Sequence, residues 1–437
     1  VLRHHFPRFV DWLKELRDPR KRPDLCTYPI EYVLMTALLM FCGHCGSRRR
    51  LGRKLTGGRM GGNIWRLVGK AYSDVVLHTD TMNNVMSELE PEELDKLIAA
   101  VFSQLRSKRV LDRFRFDRKL VVAVDATQVF SSKKPHCENC THQTRDGVTT
   151  YFHNVLAAKV VTSLGLVVPL AFEFIENPGR EYDKQDCEIK AWRRLAGKIR
   201  RLFPRLKLNL VGDGLYAEEP TFNECEDAGW NFIVTLTDND LPTVNRQLPD
   251  GDEGWSGVLT RRVGDCDKPV NPKAVHRTVR WKTPVTYHGE IVHVIEMEET
   301  DKEGNRVYYN RWITNVKPDE QNAFDLAQTG RLRWRIENEG TNTQKNGGYE
   351  MGHLYGRQQR AWKNYYLVLQ ISQLLNDLTR FGDYIQKITG DPNATFEAVY
   401  GTMREFAEAL IAHLRNRLPV FREPGCGTAC QIRLAKL

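Results

Sequence analysis

The feature that most constrains the fold is a change of periodicity near residue 115. Before it, apolar residues recur at helical spacing. The run Tyr32-Val33-Leu34-Met35-Thr36-Ala37-Leu38-Leu39-Met40-Phe41 predicts a buried helix, and residues 92–105 predict an amphipathic one. A glycine-rich stretch at 56–63 predicts a bend between them. After the change, Leu120-Val121-Val122-Ala123-Val124-Asp125 is an unbroken apolar run closed by an acid, as in a strand buried on both faces. Residues 149–161 and 166–176 predict two more strands, joined by a turn at Ser163-Leu164-Gly165. A helix at 184–203 is closed by Pro204, and a strand at 206–211 ends in Gly212-Asp213-Gly214. A helix at 218–228, capped by Gly229, leads to a strand at 231–236. Three strands, helix, strand, helix, strand is an α/β order with a mixed sheet.

From about 240 to 312 the alternation is of the β kind, over 258–263, 274–287, 290–298 and 306–314, with a hairpin turn at Asp301-Lys302-Glu303-Gly304-Asn305. Helix returns after Pro318 through 344, and again at 357–381. A last helix at 395–418 carries Phe396, Val399, Tyr400, Met403, Phe406, Ala407 and Leu410 on one face, as a dimer element or as plain core. The expected organisation is a helical region at 1–112, an α/β core in two parts at 113–239 and 315–383, a β-rich insertion at 240–314, and a C-terminal helical region and tail at 384–437.

The longest apolar stretch, 30–41, contains Glu31 and falls short of the ~20 residues of a membrane span. With no signal-peptide pattern at its start, the chain is expected to be cytoplasmic and its ten cysteines reduced. Net charge is +9. The excess is gathered into three clusters: Arg48-Arg49-Arg50 with Arg53 and Lys54; Arg193 through Lys207; and Arg331 through Lys363, interleaved with Trp334, Tyr349, Tyr355 and Trp362. Basic side chains beside aromatics suit a groove that tracks phosphates and stacks bases.

Asp125 and Asp213 each follow an apolar strand, where ligands of open α/β sheets gather. A third acid, Glu337, lies in Arg333-Trp334-Arg335-Ile336-Glu337. On a helix Arg333 and Thr341 share its face, and Lys345 lies close to that face two turns on. Three carboxylates on rigid elements suffice to clamp two divalent ions roughly 3.5–4 Å apart for in-line phosphoryl transfer.

These segments resemble the DDE transposases of bacterial insertion sequences, in the subgroup with a Tyr-x-x-Arg-x-x-x-Glu-x₆-Lys signature. The matching residues are Val124-Asp125, Val211-Gly212-Asp213-Gly214 and Arg333-Trp334-Arg335-Ile336-Glu337. Asp213 lies 88 residues after Asp125 and Glu337 another 124 after Asp213, room enough for the insertion. Phe130-Ser131-Ser132, Glu337-Asn338-Glu339-Gly340 and Lys345-Asn346-Gly347-Gly348-Tyr349 add to the likeness, which spans about 115–375. The signature Tyr position falls on Gly330 and the Lys position on Gln344, with Lys345 one place late. The resemblance implies an RNase H-like core interrupted by a β-rich insertion, preceded by DNA-binding helices. It implies two Mg²⁺ ions, with Mn²⁺ as a substitute, on Asp125, Asp213 and Glu337. Arg333, Trp334, Arg335 and Lys345 would contact DNA. The activity implied is cleavage at transposon ends and strand transfer into target duplex by a homodimer on the bacterial nucleoid. The alternatives are a DNA-binding derivative without activity and another RNase H-like nuclease.

Two cysteine motifs stand apart. Cys42-Gly43-His44-Cys45 ends an apolar helical run, the wrong end for a reactive thiol, and predicts inert cysteines. His136, Cys137, Cys140 and His142 sit between the first two core strands, as a structural Zn²⁺ site or as a polar hairpin tip with free thiols. Cys426 and Cys430 are further donors for such a site.

Overall fold

The computed structural model describes residues 2–56, 58–134, 137–177, 186–251, 253–263, 270–358 and 360–416. His136, Cys426 and Cys430 lie outside them. Ten strands form one mixed sheet: β1 (Leu120–Ser132), β2 (Thr141–Arg145), β3 (Val148–Val161), β4 (Val167–Ile175), β5 (Leu208–Gly212), β6 (Asn231–Thr235), β7 (Gly257–Arg262), β8 (His276–Tyr287), β9 (Glu290–Thr300) and β10 (Arg306–Thr314). The lateral order is β2-β3-β1-β5-β6-β10-β9-β8-β7, with β4 also paired to β3.

The segment β4-β3-β1-β5-β6 is the RNase H-like core. β3 is antiparallel to β1 and β4, whereas β1, β5 and β6 run parallel and are linked by helices Glu188–Leu202 and Glu219–Ala228. The parallel strands are buried along nearly their whole length, as their continuous apolar runs require. The insertion continues the sheet rather than standing off it. Ile233, Val234 and Thr235 of β6 pair with Thr314, Ile313 and Trp312 of β10, so the free edge of the core becomes a central position.

The insertion is held by a buried ion pair. Arg277 of β8 and Glu299 of β9 are register partners, both 0% exposed, with guanidinium nitrogens 2.6 and 2.9 Å from one carboxylate oxygen. The amides of Val270 and Asn271 donate to the same carboxylate at 2.8 and 3.1 Å.

The N-terminal helices share one hydrophobic core with the sheet. Helix Ile30–Cys42 is buried on every side and packs on the long helix Ala361–Phe381. Polar rungs fix the pair: Ser372 Oγ donates to the Leu38 carbonyl at 3.1 Å, and Asn376 Nδ2 to the Cys42 carbonyl at 3.2 Å.

Three expectations are corrected. Residues 56–63 do not form a simple bend, because helix Met60–Leu67 begins inside them; a Cβ on Gly62 would stand 2.2 Å from the Tyr72 ring, so the glycine serves close packing. The last helix is broken into Phe396–Tyr400 and Met403–Asn416 at Gly401, whose φ of 71° no ordinary helix allows. Its apolar stripe packs inward: Phe396, Tyr400, Met403 and Phe406 join Ile385 and Ala394 in a satellite core. Third, β1 does not stop at Asp125 but runs seven residues further, paired to β3.

Glu299→Gln is expected to lower the unfolding free energy by about 3–5 kcal/mol, since it leaves Arg277 uncompensated in the interior. Urea denaturation of the two proteins reads this directly. A loss under about 1 kcal/mol would mean that water reaches the pair.

Candidate active site

Asp125 and Asp213 meet at the end of the parallel part of the sheet. β1 and β5 pair in register up to Ala123 and Val211. Two positions further, where β5 has ended and β1 continues only against β3, stand Asp125 and Asp213. Adjacent strands lie about 4.8 Å apart, so the two carboxylates are neighbours. Asp213 also caps the turn Gly214–Tyr216, accepting from the Leu215 amide at 3.0 Å. Gly212 must lack a side chain here, because a Cβ would press on the Tyr216 ring at 2.9 Å.

Glu337 arrives from the helical segment after the insertion. That segment is not the regular α-helix expected: residues Ile336–Asn342 form a π-helix that packs on β1 and β4. Such turns are rare and concentrate at functional sites. The Arg333 guanidinium pairs with Glu337 one turn on, as the spacing predicts, and lies 4.7 Å above the Trp334 ring.

The electrostatics tie these groups together. Burial pushes the Asp125 carboxyl up to about 7, with Glu337 and Glu188 adding to the rise, Arg333 opposing it and Asp213 adding further. Glu188, in the first turn of its helix, accepts from Tyr216 Oη at 2.6 Å. Its own carboxyl is raised by burial and by Asp213. Lys159 on β3 is buried beneath the π-helix, its Nζ 3.5 Å from where a Cβ of Gly340 would stand. Burial lowers its amine to about 7, against the pull of Asp125 and Asp377. Four carboxylates thus share the neighbourhood of two cations. Oxygen donors of this kind suit hard divalent ions, although among the described residues no three of these carboxylates bring their ligand atoms within 4.8 Å of one another.

The profile of the transposase DDE domain matches residues 116–339, just over half of the chain. The chain belongs to the DDE transposase family. The match begins before β1 and ends beyond Glu337, and therefore contains all three acids and the insertion. No curated protein matches the sequence. Family membership brings DNA as a partner and a divalent metal as the general requirement. Among the described residues no helix is long and apolar enough to cross a membrane.

The expected DNA contacts divide in two. Trp334 is 48% exposed and Lys345 is exposed. Arg333 is turned to Glu337, and Arg335 bonds to Glu339 and, at 3.0 Å, to the Ser163 carbonyl. The two signature departures have physical causes. Gly330 lies against the Trp312 indole, where a Cβ would stand 2.7 Å from Nε1, so no tyrosine fits. Gln344 is buried and bonds the side chains of Gln370 and Gln373 at 2.7 and 2.6 Å, a place that would strip a lysine of water. A π turn takes up one residue more than an α turn, so two turns from Glu337 end near Lys345 rather than Gln344. Of the basic clusters, the one on helix Glu188–Leu202 is largely spent internally: Lys198 pairs with Asp95 at 2.5 Å, Arg194 with Glu173 and Asp186 at 2.6 Å, and Arg200 with Glu224 at 2.9 Å.

Glu188 and Lys159 were not among the site residues expected from sequence. Glu188 reads there only as an acid suiting a helix start. Lys159 did leave a signal, as the one charge in the apolar run Val155-Leu156-Ala157-Ala158-Lys159-Val160-Val161. Both thiols of Cys42-Gly43-His44-Cys45 are inert as expected, with burial pushing Cys42 up to about 12 and Cys45 up to about 11. The Cys/His expectation needs a correction: among the described residues the close group is Cys137, Cys140 and His153, and His142 instead faces Tyr151 across the β2–β3 ladder.

The raised Asp125 carboxyl makes a prediction for metal-free protein. Below about pH 4 it is protonated folded or unfolded. Above that the unfolded chain ionises first, so the fold loses stability until the pH passes about 7. Asp125→Asn in EDTA is therefore expected to raise stability at pH 8 by on the order of 2 kcal/mol and to change little at pH 4. Equal thermal melts of the two proteins at pH 8 would contradict it.

Proposed function

We propose that this protein is a DNA transposase that cleaves phosphodiester bonds at the ends of a mobile element and joins the freed 3′ ends to target duplex. Asp125, Asp213 and Glu337 hold two Mg²⁺ ions. The observation that carries this reading is that three separate stretches of chain bring these acids within electrostatic reach of one another, at an Asp125 carboxyl pushed up first by burial and then by Glu337, with Asp213 adding less. Bound there, the ions supply an activated water and neutralise the departing 3′ oxygen. Asp125, central among the acids, would be one of the carboxylates holding the bound metal. Arg333 holds Glu337 in place, and turns to a backbone phosphate once that carboxylate is engaged. Tyr216 orients Glu188, which lends negative charge to the Asp213 side of the site. Exposed Trp334 offers a stacking face to a base at the strand end, and Lys345 pairs with a phosphate. Two element ends brought together require two protomers, so the working unit is a homodimer on DNA.

A second reading, DNA binding without cleavage, draws on Gly330, whose packing under Trp312 excludes the signature phenol. Excision of the element from a plasmid carrying its natural flanks separates the two. Asp213→Asn and Glu337→Gln each remove several kcal/mol of transition-state stabilisation, and excision should fall by about 10³-fold while DNA retention in gel shift persists. Excision by Asp213→Asn at the wild-type rate would end the catalytic claim. Lys345→Ala should weaken binding uniformly across sequences and reduce the salt slope of log K by about one. An unchanged slope would remove Lys345 from the interface.

A further inference from the structure

Cys137, Cys140 and His153 bring their ligand atoms within 4.8 Å of one another, the one such group of Cys, His, Asp or Glu among the described residues. Cys137 Sγ lies 3.1 Å and Cys140 Sγ 3.6 Å from His153 Nε2, and the two sulfurs are 4.0 Å apart. Zn–S bonds of about 2.3 Å and Zn–N bonds of about 2.0–2.1 Å at tetrahedral angles put S···S near 3.8 Å and S···N near 3.6 Å. The observed S···S side and the Cys140–His153 side are close to those values, and the Cys137–His153 side, at 3.1 Å, would open on binding. A disulfide would need about 2.05 Å between the sulfurs, so the pair is not poised as a cystine.

The surroundings are built for a ligand role. His153 Nδ1 faces Glu176 Oε1 at 3.9 Å, longer than a hydrogen bond but on the side from which a carboxylate sets the tautomer of a metal-bound imidazole. Glu176 is in turn held by Lys363 Nζ at 2.5 Å. The imidazole stacks on the Trp362 ring at 4.4 Å, with Phe130 against it edge-on at 5.4 Å. Cys140 and His153 are fully buried, and Cys137 is half-buried.

We propose that Cys137, Cys140 and His153 bind a structural Zn²⁺ ion that pins the β1–β2 connection to β3 and, through Glu176 and Lys363, to the long helix Ala361–Phe381. Binding takes the two thiols as thiolates, their protons going to solvent, and the neutral imidazole through Nε2, with no change of oxidation state. The fourth tetrahedral position falls to water or one further donor. Phe130 and His153 are register partners, so the site sits beside β1, level with the position five residues beyond Asp125, and stiffens the far end of that strand. It does not rest on the transposase chemistry.

The test uses the full chain without a histidine tag, purified in reducing buffer and reconstituted with zinc. The expected result is one zinc per chain by mass spectrometry, lost in Cys140→Ser and in His153→Ala and kept in His142→Ala and in Asp125→Asn. X-ray absorption on the wild type needs no variant to fold, and should show two sulfurs near 2.3 Å and a nitrogen near 2.0–2.1 Å. Glu176→Gln should weaken zinc binding about 10- to 100-fold in chelator competition without changing the stoichiometry at saturation. No zinc on the reconstituted wild type, a sulfur-free absorption spectrum, or zinc undiminished in both ligand variants would overturn the site. Loss of zinc binding in Asp125→Asn would do the same, by placing the ion among the acids.

Discussion

Like charges gathered at the end of two parallel strands are the constraint that the candidate site of this protein depends on. Asp125, Asp213, Glu188 and Glu337 are drawn together by backbone elements that the hydrophobic core holds in place, and no rearrangement of side chains alone can disperse them. The molecule answers with two cations of different kinds. Arg333 pairs with Glu337 from one turn away, and Lys159 is buried beneath the π-helix at the cost of its own charge. Two basic groups stand against four acids, a balance in keeping with the divalent-metal requirement of the family and with the ligand role proposed for Asp125. A site arranged for stability alone would have paired every acid or dispersed them.

The support around the acids is stiff where geometry matters. β1 is held by β5 up to Ala123 and by β3 on its other side past Asp125, so the backbone of Asp125 is anchored to the centre of the sheet. The insertion adds to this, because β10 completes the hydrogen bonding of β6 and carries the sheet on through β9, β8 and β7. Trp312 of β10 then lies under Gly330, just ahead of the segment that carries Glu337. The insertion thereby orients the third acid, although it contributes none of the carboxylates. Across the sheet, the zinc site proposed beside the far end of β1 would tie the same strand to the long helix Ala361–Phe381.

The π-helix is where the departures from the family signature become intelligible. A lysine one place late in sequence looks misplaced on a regular helix, since a single residue turns it by about 100°. One extra residue per turn restores its phase and sends Gln344 inward to Gln370 and Gln373. The loss at 330 and the shift at 345 are thus separate events, the first steric and the second helical.

The succession of strands and helices and the β-rich insertion were legible in the chain itself, because apolar runs and a change of periodicity are local patterns; Asp125 and Asp213 were candidates as acids closing such runs, and Glu337 through the family resemblance. The places where the reading went astray are those where local pattern competes with packing. Residues 56–63 look like a bend until Tyr72 and Val76 are laid against Gly61 and Gly62, and β1 looks finished at Asp125 until β3 pairs the rest of it. Whether an acid at a helix start caps the helix or joins a site depends on what another strand brings beside it, as Asp213 does for Glu188. The same holds for His153, eleven residues beyond His142, which reaches the cysteines only because β3 folds back on β1. Sequence alone determined which residues are able to bind metal and which segments are able to be strands, since both follow from side-chain chemistry and near-neighbour spacing. Tertiary structure decided which of those groups share a pocket, since that depends on register between strands far apart in the chain.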